Sequence, residues 1–452
     1  MEVEAWLARA AAMRPEHIAL QTPGGDWSYA RLHAAARLAA GELAARGAGP
    51  GTRVAIALPA GVDFAQALHA CLLLGAVAVP VDLRLSADER ARIAEGAQVL
   101  VEQPLGESPV PASAVLALAG THDLDAVAVV IHTSGTSAAP RPVELTYGNI
   151  LWSAIGSAVA LGLDRDERWL CALPLSHVGG LSILLRSAIY ASTAVVHERF
   201  QTEPVLRALQ GGEATLVSLV ATTLSRLLDA GLRRPPSLRC ALTGGGPVPA
   251  ALLERAHAAG VPVSLTYGLT ESCSQATTTP LAEIGGAPSS AGPPLFCTRL
   301  ALAPALSPEG EGDGEILLAG PTIAPGALAS DGWLHTGDLG LLDERGRLRV
   351  SGRKVDTIVS GGENVAPAEV EAVLEAHPLV LEAAVLARED PEWGEAVTAI
   401  IVAREDAPLP VAELREHCAR ALAPFKVPKR FERADAPLPR TRSGKLLRRE
   451  LQ

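Results

Sequence analysis

The sequence predicts an α/β protein, with a large N-terminal domain of mostly parallel sheets flanked by helices and a small α+β domain at its C-terminal end. Three observations lead there. A chain of 452 residues exceeds what one hydrophobic core usually supports. From about residue 53, short apolar runs without polar alternation take turns with amphipathic segments, the pattern of strands covered on both faces. Beyond residue 350 the texture shifts to glycine pairs and shorter elements. That shift sets a boundary near Gly352, with domains expected over 1–352 and 353–452.

The elements follow in order. "RVAIAL" (53–58) reads as a buried strand, and "ALHACLLLGAVAVPV" (67–81) as a core helix running into a second strand. The latter is the longest apolar run, yet it contains His69 and Pro80 and is shorter than the ~20 residues that cross a bilayer. "VAVVIHT" (127–133) is a further strand. Later, "ATLVSLV", "TTLSRLLDAG", "LRCALTGGG", "PAALLERAHAAG" and "VPVSLTYGLTES" alternate strand and helix between residues 214 and 272. Two stretches rich in Gly and Pro, 283–295 and 307–315, read as long loops inside the large domain. In the C-terminal part, "PAEVEAVLEAHPLV" and "EAAVLARE" give a helix and a strand. Parallel sheets of this kind bind ligands beyond the carboxyl ends of their strands, so the loops after strands are the places to look for chemistry.

Composition excludes several classes. Apolar residues make up 48% and charged residues 20%, the profile of a soluble globular protein rather than a disordered one. A net charge of −11 argues against a general nucleic-acid surface. Residues 426–449 reverse the balance with nine Lys or Arg against two acids, which suits either an anion or a solvated basic tail. The acidic start lacks the positive region of a secretory signal. Six cysteines without C-x-x-C spacing point to neither zinc nor a disulfide framework, and a reducing cytoplasm fits. Self-association is left open.

Several strand ends carry candidate chemistry. After "VAVVIHT" come Thr133, Ser134, Gly135, Thr136 and Ser137. These small and hydroxylated residues let backbone N–H groups approach phosphate oxygens, although the stretch is not a Walker A loop. Gly244, Gly245 and Gly246 offer a flat backbone to a planar ligand, and "TYGLTES" (266–272) supplies Tyr267, Thr270 and Glu271. A carboxylate there suits Mg²⁺, which takes oxygen ligands. Asp338, with Arg353 fifteen residues later, suits a ribose, since a carboxylate accepts two hydroxyl protons. Taken singly, each of these is equally a turn or a surface side chain.

The order of the pieces is specific. "TSGTSAAPRP", "GGG", "YGLTES", "TGD", "GRKVD" with "SGGEN", and the terminal "PRTRSGK" together resemble the adenylate-forming family of acyl-CoA synthetases, luciferases and peptide-synthetase adenylation domains. The resemblance spans nearly the whole chain. It implies an enzyme that makes an acyl-adenylate from a carboxylate and ATP with Mg²⁺, releases pyrophosphate, and passes the acyl group to CoA. It also implies that residues 133–137 bind the β- and γ-phosphates, Thr270 touches phosphate and Glu271 holds Mg²⁺. Gly244, Gly245, Gly246 and Tyr267 would border adenine and the acyl group, with Asp338 and Arg353 on the ribose. The small domain would be mobile, turning about Val355 to bring Gly361 and Gly362 to CoA.

Lys445 matches the family's adenylation lysine. Only four of the 39 basic residues are Lys. Two anions must fuse here, and a compact ammonium on a flexible stem can contact both where a broad guanidinium would not fit. The phosphate loop departs from the family pattern at Ser137, Ala138, Arg141 and Pro142. Ser keeps the hydroxyl and Arg the charge, while Ala138 and Pro142 restrict the backbone.

"LPLSHVGGLSILLRSAIY" (173–190) with "SAGPPL" resembles the 2-succinylbenzoate-CoA ligases of menaquinone synthesis. That acid has two carboxylates, of which one reacts and one stays bound. Arg186, four residues after Ser182 and on its helical face, is expected to hold the second, with His177 and Thr222 also lining the acyl site. Three alternatives stay open at this point: another aryl- or short-chain acyl-CoA ligase, a stand-alone adenylation domain, for which no carrier segment follows Lys445, and a homologue that binds acyl or nucleotide without turnover.

Overall fold

The computed structural model describes residues 1–85, 87–106, 118–133, 141–284, 290–303, 313–353, 358–360, 363–365, 367–390, 394–404, 409–422, 424, 426–440 and 446–451. The expected positions Ser134, Gly135, Thr136, Ser137, Ala138, Val355, Gly361, Gly362 and Lys445 lie outside these residues, as does the side chain of Arg353. The chain divides into two compact units. The first comprises Met1–Gly245, Arg255–Arg299 and Leu318–Leu334, and the second Gly246–Glu254, Leu300–Leu317 and His335–Gln452.

The first unit holds two largely parallel sheets. One has eight strands in the spatial order Thr277–Thr278, Val263–Tyr267, Cys240–Thr243, Leu216–Leu219, Arg168–Cys171, Thr193–Val196, Ile18–Thr22, Gly25–Ser28. Its interior pairings are parallel and both its edge pairings antiparallel. The other has five strands in the order Val99–Val101, Arg53–Ile56, Val77–Pro80, Val127–Thr133, Arg141–Thr146. Interior strands such as Cys240–Thr243 and Val77–Pro80 are buried at every residue, which is why they read as unbroken apolar runs. The expected core helix is Val62–Leu74, closed by Gly75 at φ 67°, where a left-handed residue ends the helix at no steric cost. A single cluster including Leu68, Ile131, Tyr147, Leu184 and Cys240 joins the helices to both sheets.

The second unit contains the antiparallel hairpin of Leu334–Leu342 with Leu348–Arg353 and a five-stranded sheet. In that sheet Val380–Asp390 pairs with Gly394–Ala403, which also takes Ile358–Ser360 and, in parallel, Arg430–Arg433. Helices Pro367–Glu375 and Val411–Ala421 bury Val370, Leu374, Leu414 and Cys418 in the core under it. Among the described residues no helix is long and apolar enough to cross a membrane.

Candidate active site

Sheet order gathers residues that are far apart in sequence. Four consecutive parallel strands of the eight-stranded sheet, Arg168–Cys171, Leu216–Leu219, Cys240–Thr243 and Val263–Tyr267, are followed in turn by His177, Thr222, Gly244 and, after the terminal Tyr267, Thr270 and Glu271. The candidate acyl, adenine and phosphate residues therefore line one carboxyl edge, as expected for ligand sites in parallel sheets.

The glycines in this edge are required sterically. A Cβ on Gly244 would sit 2.6 Å from the carbonyl oxygen of Thr266, and one on Gly268 would sit 1.5 Å from that of Ser274. The second contact lets the chain after Tyr267 fold straight back over itself. Ser272 closes the resulting turn: its Oγ accepts from Leu269 N at 2.9 Å, and Ser274 N donates to Leu269 O at 3.1 Å. Cys273 and Ser274 pay with left-handed backbones at φ 54° and 90°. The turn presents Thr270 and Glu271 half-buried. No hydrogen bond or ion pair joins either side chain to another described residue. A half-buried carboxylate with no partner among the described residues suits Mg²⁺, which characteristically uses one or two carboxylates and completes its shell with phosphate and water.

His177 caps the helix Val178–Tyr190 and is 45% exposed. Its Nε2 lies 3.1 Å from Nη2 of Arg84 and 3.8 Å from Oδ2 of Asp82. Arg84 in turn grips Asp82 through Nε at 2.8 Å, Nη2 at 2.5 Å and its backbone N at 3.0 Å. Burial alone would raise the Asp82 carboxyl, but the hydrogen bonds and charge of Arg84 outweigh it and hold the group below the usual carboxylate range. Because a guanidinium only donates, a hydrogen bond between the two has Nε2 of a neutral His177 as its acceptor. Sequence reading missed Asp82 and Arg84. The signal was present in "VAVPVDLR", since both residues follow the carboxyl end of a predicted parallel strand. Thr133 stands at the end of the neighbouring strand of that sheet.

Arg186 lines a cavity together with Ser182, and its side chain is 2% exposed. Nη2 donates to Ser153 Oγ at 3.0 Å, and the guanidinium stands 5.6 Å from the centre of the Trp169 ring. Burial pushes it down from its ordinary value. Thr222 is exposed in the first turn of the helix Ala221–Asp229.

In the second unit Asp338 is 6% exposed and is the cross-strand partner of Arg353. The hairpin thus makes neighbours of two residues that the sequence separates by fifteen positions. Gly337, at φ 70°, donates its N–H to Glu315 Oε1 at 3.1 Å, and Thr336 Oγ1 accepts from Asp338 N at 3.0 Å. On either side of residues 441–445, Arg440 and Leu446 form an antiparallel bridge, and Leu447 N donates to Pro439 O at 2.8 Å.

Comparison with known proteins agrees with this geometry. The AMP-binding enzyme family model matches residues 7–328 and the AMP-binding enzyme C-terminal domain model residues 369–445. The chain is 38% identical to the 2-succinylbenzoate–CoA ligase of Bacillus subtilis, covering 99% of this chain and 97% of that protein. It is 40% identical to the corresponding ligase of Bacillus licheniformis, over 99% and 98%. Among solved structures it resembles the Bacillus subtilis o-succinylbenzoate CoA synthetase (MenE) in complex with the acyl-adenylate intermediate OSB-AMP, with a TM-score of 0.91, 38% identity, and coverage of 100% and 98%. The same enzyme with ATP and magnesium ion superposes with a TM-score of 0.88 at 37% identity over 100% of both chains. With matching models over most of its length and close relatives over nearly all of it, the chain belongs to the AMP-binding enzyme family.

Proposed function

We propose that this protein ligates 2-succinylbenzoate to CoA at the expense of ATP, through an acyl-adenylate, as a step of menaquinone synthesis. The observation that carries the reading is the end-to-end similarity to the Bacillus subtilis enzyme, 38% identical with a TM-score of 0.91 to its complex with OSB-AMP. In the first half-reaction a carboxylate oxygen attacks the α-phosphorus. A C–O–P linkage forms, the bond to the β-phosphate bridging oxygen breaks, and pyrophosphate leaves. In the second, the CoA sulfur attacks the acyl carbon, the thiol gives up its proton, and AMP departs.

Each residue has a role suited to its position. Thr133, with Ser134, Gly135, Thr136 and Ser137, cradles the β- and γ-phosphates. Gly244, Gly245, Gly246 and Tyr267 border the adenine, and Asp338 with Arg353 takes the ribose hydroxyls. Glu271 would hold the Mg²⁺, whose charge offsets that of the triphosphate, and Thr270 donates to phosphate beside it. Lys445 neutralises the two reacting anions as they meet. His177, Arg186 and Thr222 border the acyl group.

The moving part is taken to be residues 353–452, turning at Val355 to bring Gly361 and Gly362 to CoA. In support, the two family models end and begin on either side of Gly352, at residues 328 and 369. A cytoplasmic setting is consistent with six cysteines that are all free thiols.

The test is a CoA-thioester assay over a panel of acids, with 2-succinylbenzoate beside benzoate, coumarate and short fatty acids. The expected result is ATP- and Mg²⁺-dependent thioester from 2-succinylbenzoate with release of pyrophosphate. Robust product from another acid and none from 2-succinylbenzoate would overturn the specificity. No pyrophosphate with any acid would overturn the enzyme reading itself.

A further inference from the structure

The direction in which Asp338 points depends on the residue before it. Gly337 is left-handed, at φ 70°, inside the strand Leu334–Leu342. A Cβ there would meet nothing within 4 Å, so the backbone conformation and not the space calls for glycine. A left-handed residue in a strand re-aims the side chains beside it, and its half-buried N–H still needs an acceptor. That acceptor is a side chain: Glu315 Oε1, from the neighbouring strand Gly314–Ala319, at 3.1 Å.

The same strand holds the residues on either side of Gly337. Thr336 Oγ1 donates to the carbonyl oxygen of Ile316 at 2.8 Å and accepts from Asp338 N at 3.0 Å. Glu315 and Ile316 thus tie down three consecutive residues, 336–338, of which the last is the carboxylate. The Glu315 side chain is 13% exposed, and an ionised acceptor makes a bond about twice as strong as a neutral one, the more so when shielded from water. Its other oxygen, Oε2, stands 4.0 Å from Nδ1 of His335, beyond hydrogen-bond reach. A group that must meet two ribose hydroxyls has to be held within about 0.5 Å of its productive place by the groups around it.

We infer that Glu315 is a positioning residue, which accepts from Gly337 N to fix the backbone at 336–338 and so aims Asp338 at the ribose, setting how well the protein distinguishes ATP from a nucleotide without ribose hydroxyls. The inference rests on the proposed use of Asp338 on the ribose. Glu315 itself touches no substrate in this scheme and acts only through the backbone.

The experiment is calorimetric titration with ATP, 2′,3′-dideoxyATP and inorganic tripolyphosphate, each with Mg²⁺, on wild type, Glu315→Ala, Glu315→Gln, Asp338→Ala and the double variant Glu315→Ala/Asp338→Ala. Wild type binds ATP at least about tenfold more tightly than dideoxyATP, the worth of a hydrogen bond to a charged group. Glu315→Ala weakens ATP about fivefold and leaves dideoxyATP and tripolyphosphate within about twofold of wild type, so the ratio collapses. Glu315→Gln keeps an oxygen acceptor for Gly337 N and retains the ratio. The double variant binds ATP no more weakly than Asp338→Ala, because the two residues act in series. Dissociation constants describe the folded molecules and the stoichiometry reports their fraction, so partial unfolding does not mimic the shift.

A wild-type ratio preserved in Glu315→Ala would overturn the inference. So would an equal loss of all three ligands, which would make Glu315 a support of the whole unit. Glu315→Gln as damaging as Glu315→Ala would assign the effect to the charge beside His335 and not to the bond with Gly337. If wild type binds ATP and dideoxyATP alike, the ribose role of Asp338 fails and the inference with it. The ratios need binding alone, so they decide the matter whichever acid the protein activates, and failure of the ligase reading shows separately as absent pyrophosphate.

Discussion

Arg84 and His177 stand 93 positions apart in the sequence and meet at 3.1 Å, bridging loops from the two sheets of the first unit. Asp82 is the anchor of the pair. Its carboxylate takes three hydrogen bonds from Arg84, which fixes the guanidinium and, through it, the imidazole. Asp82→Asn keeps the shape, but it removes the charge and half of the bidentate acceptor. The His177 ring then loses its fixed orientation. The expected outcome is a fall in kcat/KM for the acid of about tenfold, the worth of one hydrogen bond to a charged group, with the KM for ATP unchanged. Steady-state kinetics with each substrate varied in turn checks this. An equal effect on both substrates would mean that Asp82 supports the whole unit rather than His177.

Lys445→Ala tests the central electrostatic argument. Both reactants are anions, and a positioned cation lowers the barrier by stabilising the charge that builds on the bridging oxygens. Loss of one such group costs about 10²- to 10³-fold in rate. Pyrophosphate release from ATP and the acid should fall by that factor. The reaction of CoA with a supplied acyl-adenylate should stay close to wild type, because that step joins no two anions at phosphorus. The comparison needs both half-reactions measured separately.

Much of the fold was legible because buried parallel strands leave unbroken apolar runs. "VAVPV" and "RCALT" are readable without any partner, and the glycines after them mark the carboxyl edge. The positions of Tyr267, Glu271 and Gly244 on that edge follow from the same logic. What the sequence hid was pairing. Nothing in "DLRLS" says that Arg84 turns toward a histidine in another sheet, because register between sheets is set by packing and leaves no local pattern. Arg186 shows the same limit: its spacing from Ser182 put both on one cavity, but helical periodicity carries no trace of its hydrogen bond to Ser153 on another helix. Asp338 and Arg353 show the favourable case, where a hairpin turns a fifteen-residue separation into a cross-strand pair.

Gly268→Ala asks whether the turn geometry is as tight as it looks. The added Cβ would fall 1.5 Å from the carbonyl oxygen of Ser274, so backbone and not a flexible side chain must give way. Overpacking of this kind costs ~3 kcal/mol when the chain can adjust, and more when it cannot. The variant should unfold at lower denaturant concentration and lose nucleotide binding even where it stays folded. Gly246→Ala is the matched control, since nothing lies within 4 Å of the added carbon, and it should be stable. Equal stability of the two variants would contradict the close approach at Gly268.

Acid stability should be governed by two histidines that the reaction does not use. His69 is 4% and His122 2% exposed, and burial pushes each down to about 4 from an ordinary 6.5, with His122 and His33 adding to the effect at His69. The neutral form of His122 is also structural, since its Nε2 accepts from Trp6 N at 3.2 Å. The unfolded chain binds protons to these rings near 6.5 and the folded one only near 4, so between those values the unfolded state carries more protons and stability rises with pH. Their contribution is whole above pH 6.5 and is lost as the pH falls through 4, up to about 3 kcal/mol for each ring. Denaturant unfolding at pH 7.5, 6 and 5 should therefore give progressively lower midpoints. Replacing the titrating ring by a neutral amide, His122→Gln, should flatten the slope while keeping an acceptor for Trp6 N. A slope as steep in His122→Gln and in His69→Gln as in wild type would assign the acid loss to carboxylates instead.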